Sequence, residues 1–291
     1  METTDIRSFI KSLGVAVPDD EEFLKLSKLT PMYPENKELY IINYERGMLL
    51  YSIVAKYKPL NILEIGTAKG YSALCMAWAM DDYDIPGTIH TIDPTLDTKF
   101  EIVIDGKVNI LSAPQLWDKI ASDRWLSKIK PFSGYSGEVV DKFKFPKIDF
   151  AYIDGHHVFE AVEHDFYAFL DIASDNFRVL FDDYALSDGV TKLIDDNVSK
   201  NFDGVLIKTN LKQQYEQLGL ENSSKHNLFH AMCWFEQASL KKPLHQVYPK
   251  DKIDHVLKKY RRFEKRWMLR QKINQKFPAL RNIRFSKYFH K

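Results

Sequence analysis

The sequence predicts an α/β protein built on a doubly wound, mostly parallel sheet. Two features carry that expectation. Short, nearly continuous apolar runs alternate with amphipathic stretches of helical period, the rhythm of strand, crossover helix and parallel strand. Each of the four central runs also ends on an acidic residue followed by a turn, which places charge at one edge of the sheet. The bulk composition agrees, since 291 residues with 45% hydrophobic and 28% charged side chains can bury a large α/β core.

Along the chain, residues 1–38 are expected to form a helical N-terminal extension. Residues 39–57 place Ile42, Met48, Leu49 and Ile53 at helical spacing, and Lys58-Pro59 stops the helix. Residues 60–65 then read as a strand buried on both faces, because they show little polar alternation. Gly66 and Gly70 bracket a turn, after which 71–80 resume helical character through Leu74, Cys75 and Trp78. Residues 88–92 form a strand ending at Asp93-Pro94, and 148–153 form another ending at Asp154-Gly155. The amphipathic stretch 158–173 follows, with Val158, Ala161, Val162, Phe166, Phe169 and Leu170 on one side. A further strand at 177–181 ends at Asp182-Asp183, and late strands are expected at 204–208 and 228–235. Residues 95–130, interrupted by Pro114, are too long for a simple βα connection and read as an insertion near the ligand edge.

Several function classes are disfavoured at once. The N-terminal segment carries Glu2, Asp5, Asp19, Asp20, Glu21 and Glu22 and no apolar core of a secretory signal. No apolar run is long enough to span a bilayer. Cys75 and Cys233 lie in a helix and a strand without C-x-x-C spacing, so both read as reduced core residues, and the expected compartment is the cytoplasm.

In open α/β sheets ligands collect at the carboxyl ends of the strands. Here those ends carry Glu64-Ile65-Gly66-Thr67-Ala68-Lys69-Gly70, Asp93, Asp154 with His157, and Asp182-Asp183. The Glu-x-Gly-x-x-x-Gly spacing lacks the second glycine of a pyrophosphate-binding turn, which favours a ligand without phosphates. The glycines could alternatively serve only to make a tight βα turn.

The run ILEIGTAKGYSA resembles the first motif of class I S-adenosylmethionine-dependent methyltransferases. That resemblance implies a Rossmann-like, mostly parallel seven-stranded sheet with helices on both faces, in a domain spanning 39–240. It further implies S-adenosylmethionine as cofactor, with Glu64, Gly66, Thr67 and Gly70 around its methionine part and Asp93 on the ribose hydroxyls. Such enzymes commonly place an acidic residue near the adenine after the third strand. This chain instead has FSGYSGEVV, so Ser136, or stacking on Tyr135, is left to make that contact.

A second resemblance rests on FAYIDGHHVFEAVEHDFYAFL followed by RVLFDDYALSDGVTKLIDD. Together they resemble the small-molecule O-methyltransferases that include macrolide-sugar O-methyltransferases and cephalosporin-hydroxylase-like proteins, and more distantly catechol O-methyltransferase. The resemblance implies Mg²⁺ or another divalent cation on Asp154, Asp182 and Asp183, with His157 as general base. The substrate it implies is a hydroxylated sugar, glycan precursor or other small metabolite. Hard oxygen ligands suit Mg²⁺, which keeps positions open for substrate or water. Adjacent strand residues point to opposite faces, so Asp182 and Asp183 can share an ion only where the chain bends. The three aspartates could instead cap helices. His156 could replace His157 as base, and a metal-independent methyltransferase is the runner-up among enzymes. His164, beside Glu160 and Glu163, reads as a solvated surface residue.

The net charge of +1 hides an asymmetry. Residues 251–291 hold fourteen Lys and Arg against Asp251, Asp254 and Glu264, so the tail carries about +11 and the body about −10. Residues 241–291 are read as a basic aromatic tail in which Val256, Leu257, Tyr260, Phe263 and Trp267 recur at helical spacing. Docking of that apolar side on the domain is the preferred reading. Peripheral contact with an anionic membrane is an alternative, as is a Rossmann-like binding module whose tail contacts RNA; the acidic body argues against a broad nucleic-acid surface. A second copy of the chain is kept among the partners.

Overall fold

The computed structural model describes residues 1–30, 44–210 and 230–276, with side chains as far as 270. An eight-stranded sheet forms the centre, in the order β1-β9-β10-β8-β7-β2-β3-β6. Its strands are β1 (Glu2–Asp5), β2 (Asn61–Ile65), β3 (Thr88–Asp93), β6 (Ile129–Ser133), β7 (Ile148–Ile153), β8 (Ala173–Tyr184), β9 (Val205–Lys208) and β10 (Ala231–Glu236). Every pairing is parallel except the two made by β10, which runs against both β8 and β9. The doubly wound, mostly parallel architecture expected from the sequence is therefore present.

One strand exceeds the seven expected. The N-terminal extension is not wholly helical: β1 adds itself parallel to β9 before α1 (Ile6–Leu13) and α2 (Asp20–Leu29) begin. Local chemistry explains that entry. Asp5 caps α1 by accepting a bond from Ser8 N at 2.9 Å, and Gly14 ends it in the left-handed conformation at φ 66°. Ile6, Ile10 and Leu13, one helical face apart, are buried.

The helices divide between two faces. On one, α3 (Tyr44–Tyr57) and α4 (Tyr71–Asp82) join α1 and α2 over a core of Leu49, Ile53, Leu74 and Ile62. On the other, α8 (Phe159–Ile172) packs Val162, Phe166 and Phe169 against Leu63, Ala151, Val179 and Phe181. Both cysteines are buried and unpaired. Part of the helix expected over 39–57 and of the strand expected over 228–235 lies outside the described residues, which begin again at 44 and 230.

The 95–130 insertion contains a separate hairpin, β4 (Phe100–Ile104) and β5 (Lys107–Leu111), followed by α5 (Ala113–Ile120) and α6 (Asp123–Leu126). It does reach the ligand edge: Trp117 on α5 lies over Gly70 and donates through Nε1 to Lys69 O at 2.8 Å. After α7 (Ser136–Lys142), α9 (Asp188–Leu193), α10 (Ser199–Asn201) and α11 (Leu244–Val247), the tail forms one long helix, α12 (Lys250–Lys276). Ile253, Val256 and Leu257 on α12 are buried in the same core as α8, and Tyr260 is buried on His164 of α8, which is the docking arrangement preferred from the sequence. No helix among the described residues is long and apolar enough to cross a membrane.

Candidate active site

The direction of the strand order reverses between β2 and β7, and ligands bind at such switch points outside the carboxyl ends. The β2 end supplies the first half of the site. Gly66 adopts φ 99°, and a Cβ built there would lie 2.0 Å from Asp154 O, so only glycine lets the two loops touch. Glu64 is fully buried. Its Oε2 accepts from Thr91 Oγ1, which in turn is bonded to Thr67 Oγ1. Among the described residues Oε1 has no hydrogen-bond partner. Burial, with the nearby Asp154 and Asp93 carboxylates, pushes the Glu64 carboxyl up to about 8 against the opposing pull of the Thr91 bond and Arg46. A buried carboxylate oxygen without a donor calls for a polar or cationic ligand.

Asp93 ends β3 and holds the adjoining turn. Its Oδ2 accepts from Ala68 N at 2.8 Å, and Oδ1 accepts from Thr95 N and Oγ1 at 2.6 Å each. Each carboxylate oxygen can accept more than one bond, so the arrangement leaves acceptor capacity for a ligand. Thr67, 2% exposed, directs its hydroxyl inward to Thr91. Ser136, 8% exposed, likewise directs its hydroxyl inward, donating to Asp165 Oδ1 at 2.5 Å.

The second half gathers at β7 and β8. Asp183 takes φ 56°, and three steps along β8, from Phe181 to Tyr184, oppose two along β10, from Cys233 to Ala231. This bulge is the bend that the consecutive aspartates require, and both carboxylates converge as a result. His230 Nε2 lies 2.7 Å from Asp182 Oδ1 and 3.3 Å from Asp183 Oδ1. His157 Nε2 lies 3.0 Å from Asp183 Oδ2 and 3.7 Å from Asp154 Oδ1. Neither aspartate caps a helix through its side chain; Val158 and Ser187 hold the cap positions of α8 and α9, which sets aside the capping reading.

Three groups that sequence reasoning missed complete the cluster. Arg46 on α3 donates through Nη1 to Asp182 Oδ2 at 2.6 Å and Asp154 Oδ2 at 3.1 Å. The Tyr152 hydroxyl lies 2.5 Å from Asp182 Oδ2 and 3.1 Å from Asp154 Oδ2. His230 is the third, its Nδ1 2.8 Å from Thr209 Oγ1. Tyr152 had a signal, since residues i and i+2 of a strand share a face with Asp154. Arg46 and His230 had none, because nothing in their spacing ties them to the aspartates.

The charges balance internally. Burial raises the Asp154 carboxyl to about 6, whereas the Arg46 guanidinium and the His230 imidazole hold Asp182 well below the usual carboxylate range despite its burial. Bonds to Asp154 and Asp183 raise His157 to about 10, and His230 is raised to about 9 by Asp182 and Asp183 despite its own burial. Two sets of side chains bring ligand atoms close enough to share a metal ion: Asp154, His157 and Asp183, and Asp182, Asp183 and His230. Carboxylates with imidazoles suit a hard or borderline divalent cation, so the donor set fits one.

His164 corrects the sequence reading. Far from solvated, it is 2% exposed, stacks on Tyr260 of α12 at 4.2 Å between ring centroids, and lies 3.0 Å from Asp165 Oδ1. His156 packs against Trp267 at 4.9 Å, away from the aspartates that His157 faces.

Residues 63–184 match the family described as a methyltransferase domain. The matched segment runs from within β2 to the end of β8 and holds the strands whose carboxyl ends form the site. The fold of solved relatives agrees. The O-methyltransferase TomG from Streptomyces achromogenes, solved in complex with SAM, superposes with a TM-score of 0.53 at 14% identity over 78% of this chain and 93% of TomG. An O-methyltransferase from Bacillus cereus, in complex with SAH, gives 0.50 at 15% identity over 78% and 94%. No curated protein is similar to this chain in sequence.

Proposed function

We propose that this methyltransferase transfers the methyl group of S-adenosylmethionine to a hydroxyl of a small, hydroxylated acceptor, assisted by Mg²⁺ or another divalent cation. One observation supports the reading: two possible ligand sets that share Asp183, one with Asp154 and His157 and one with Asp182 and His230, lie at the switch point of the sheet, where the Gly66 turn touches Asp154. Glu64 supplies the acceptor for the cofactor's ammonium, and Asp93 the acceptor for its ribose hydroxyls. Both residues sit on neighbouring strands, so one extended ligand can reach them together.

Asp154, Asp182 and Asp183 would hold the cation. Bound there, it would neutralise the carboxylates and lower the pKa of a hydroxyl in contact with it. Asp154 and Asp183, which hold His157 protonated, would release it once the cation neutralised them; its half-exposed Nε2 would then take the acceptor's proton, and Ser187 fixes its backbone by donating to His157 O at 2.9 Å. The acceptor oxygen then attacks the sulfonium methyl, breaking the carbon–sulfur bond and leaving S-adenosylhomocysteine. Positioning of the two reactants supplies much of the acceleration.

A metal-independent reading draws on Arg46, whose guanidinium already compensates Asp154 and Asp182. S-adenosylhomocysteine formation against a panel of hydroxylated acceptors, with and without EDTA, separates the two. Loss of turnover in EDTA with recovery on adding Mg²⁺ or Mn²⁺ supports the cation. Undiminished turnover in EDTA excludes it, and absence of turnover with every acceptor counts against the hydroxyl specificity.

A further inference from the structure

The tail helix does more than cover apolar surface. Its Glu264 is 4% exposed although it belongs to the most basic stretch of the chain. Oε1 accepts from Gly137 N at 3.1 Å, at the point where the chain leaves β6 and enters α7. A Cβ on Gly137 would lie 2.6 Å from Glu264 Oε2, so the glycine makes room for the carboxylate. Among the described residues no hydrogen bond reaches Oε2. Burial raises the Glu264 carboxyl above its ordinary range, while His164 and the Gly137 amide draw it down.

The place matters because of the strand order. β6 is the neighbour of β3 on the side away from β2. A cofactor whose ammonium meets Glu64 on β2 and whose ribose meets Asp93 on β3 must carry its base onward, past the carboxyl end of β6. There the loop's own polar side chain is engaged elsewhere, since Ser136 donates to Asp165. Three carboxylates lie at this edge: Glu138 of α7 beside Gly134, Asp165 of α8 bonded to Ser136, and Glu264, which reaches Gly137 N from α12, more than a hundred residues later in the chain. Tyr260 on His164 and Trp267 on His156 hold that stretch of α12 in place from both sides of Glu264.

We propose that Glu264 accepts a hydrogen bond from the exocyclic amine of the cofactor's adenine, so that the tail helix forms the base-recognition wall of the site. The inference rests on the cofactor reading above. An amine donates and a carboxylate only accepts, so Glu264 selects adenine over hypoxanthine, whose carbonyl oxygen would face the carboxylate unpaired. Glutamine at this position keeps an acceptor for Gly137 N and adds a donor that a carbonyl can use.

The test is calorimetric binding of S-adenosylhomocysteine and S-inosylhomocysteine to the full chain and to Glu264→Gln and Glu264→Ala. The unmodified protein should prefer the adenine ligand by about tenfold or more, the scale of one unpaired buried polar group. Glu264→Gln should lose most of that preference, and Glu264→Ala should bind the adenine ligand about tenfold more weakly. A carboxylate that merely caps α7 would lower the melting temperature of both variants and leave the preference unchanged. That result overturns the proposal while the cofactor reading stands. Failure of the unmodified chain to bind S-adenosylhomocysteine overturns both.

Discussion

Glu64→Gln should make the ligand-free protein more stable in alkali and less able to bind its cofactor. The Glu64 carboxyl is fully buried, with Oε1 lacking any donor, and its pKa rises from 4.5 to about 8. Raising the pKa of an acid on folding means that the folded state favours the protonated form. Its contribution to stability is therefore complete below pH 4.5 and is lost as the pH climbs towards 8. At about 1.36 kcal/mol per pH unit, the raised pKa of Glu64 costs the ligand-free protein about 3 kcal/mol at pH 7, where the carboxyl stays protonated only in the folded state, and nearly 5 kcal/mol, to order of magnitude, at pH 9, where it is ionised in both. Glutamine removes the titration and keeps the shape. Urea unfolding of both proteins at pH 5, 7 and 9 measures the effect, and any constant cost of burying the amide cancels when the two curves are compared. The gap between them should open by several kcal/mol in favour of the variant from pH 5 to 9. Calorimetry should show the opposite order for S-adenosylmethionine, because the variant has lost the anion that meets the ammonium. Parallel stability curves would refute the reasoning.

Other perturbations follow from the same geometry. Arg46→Met leaves Asp154 and Asp182 without their guanidinium partner; metal-free stability at neutral pH should fall by about 3 kcal/mol, as for other broken buried pairs, and millimolar Mn²⁺ should restore much of it in thermal melts. His157→Ala should fold and bind cofactor but turn over about a hundredfold more slowly, whereas His156→Ala should retain most activity in the same assay. Because His230 is raised from 6.5 to about 9, it stabilises the metal-free protein below pH 6.5 and loses that contribution as the pH rises to 9; His230→Gln should flatten this part of the stability profile. Deleting residues 251–291 uncovers the apolar partners of Ile253, Val256, Leu257 and Tyr260 and should lower the melting temperature, with a cost of several kcal/mol in stability; an unchanged melt would mean that the docking contributes little.

The sequence was most readable where a residue's neighbours in the chain are also its neighbours in space. β2, β3 and β7 end within a residue of expectation, because a buried parallel strand leaves a nearly unbroken apolar run and an acidic residue stands at or next to its end. The aspartates were found for the same reason. Arg46 could not be, since α3 contributes it from across the sheet edge, 108 residues away from Asp154 in the chain. His164 was misread because its helix-mates Glu160 and Glu163 suggest a polar face, and the element that covers it arrives only with Tyr260. The extra strand β1 was missed because ETTD has no apolar alternation; its pairing with Val205–Lys208 is made by backbone groups, which any sequence supplies.

The missing Cβ at Gly66 also has a mechanical consequence. With Asp154 O 2.0 Å from where that atom would sit, the Gly66 loop and the loop that begins the acidic cluster share one packing surface, with no side chain at Gly66 to absorb strain. Close-packed interiors transmit displacement over such contacts. A shift of either backbone is therefore a shift of the other, and a ligand that displaced the Gly66 turn would move Asp154 with it.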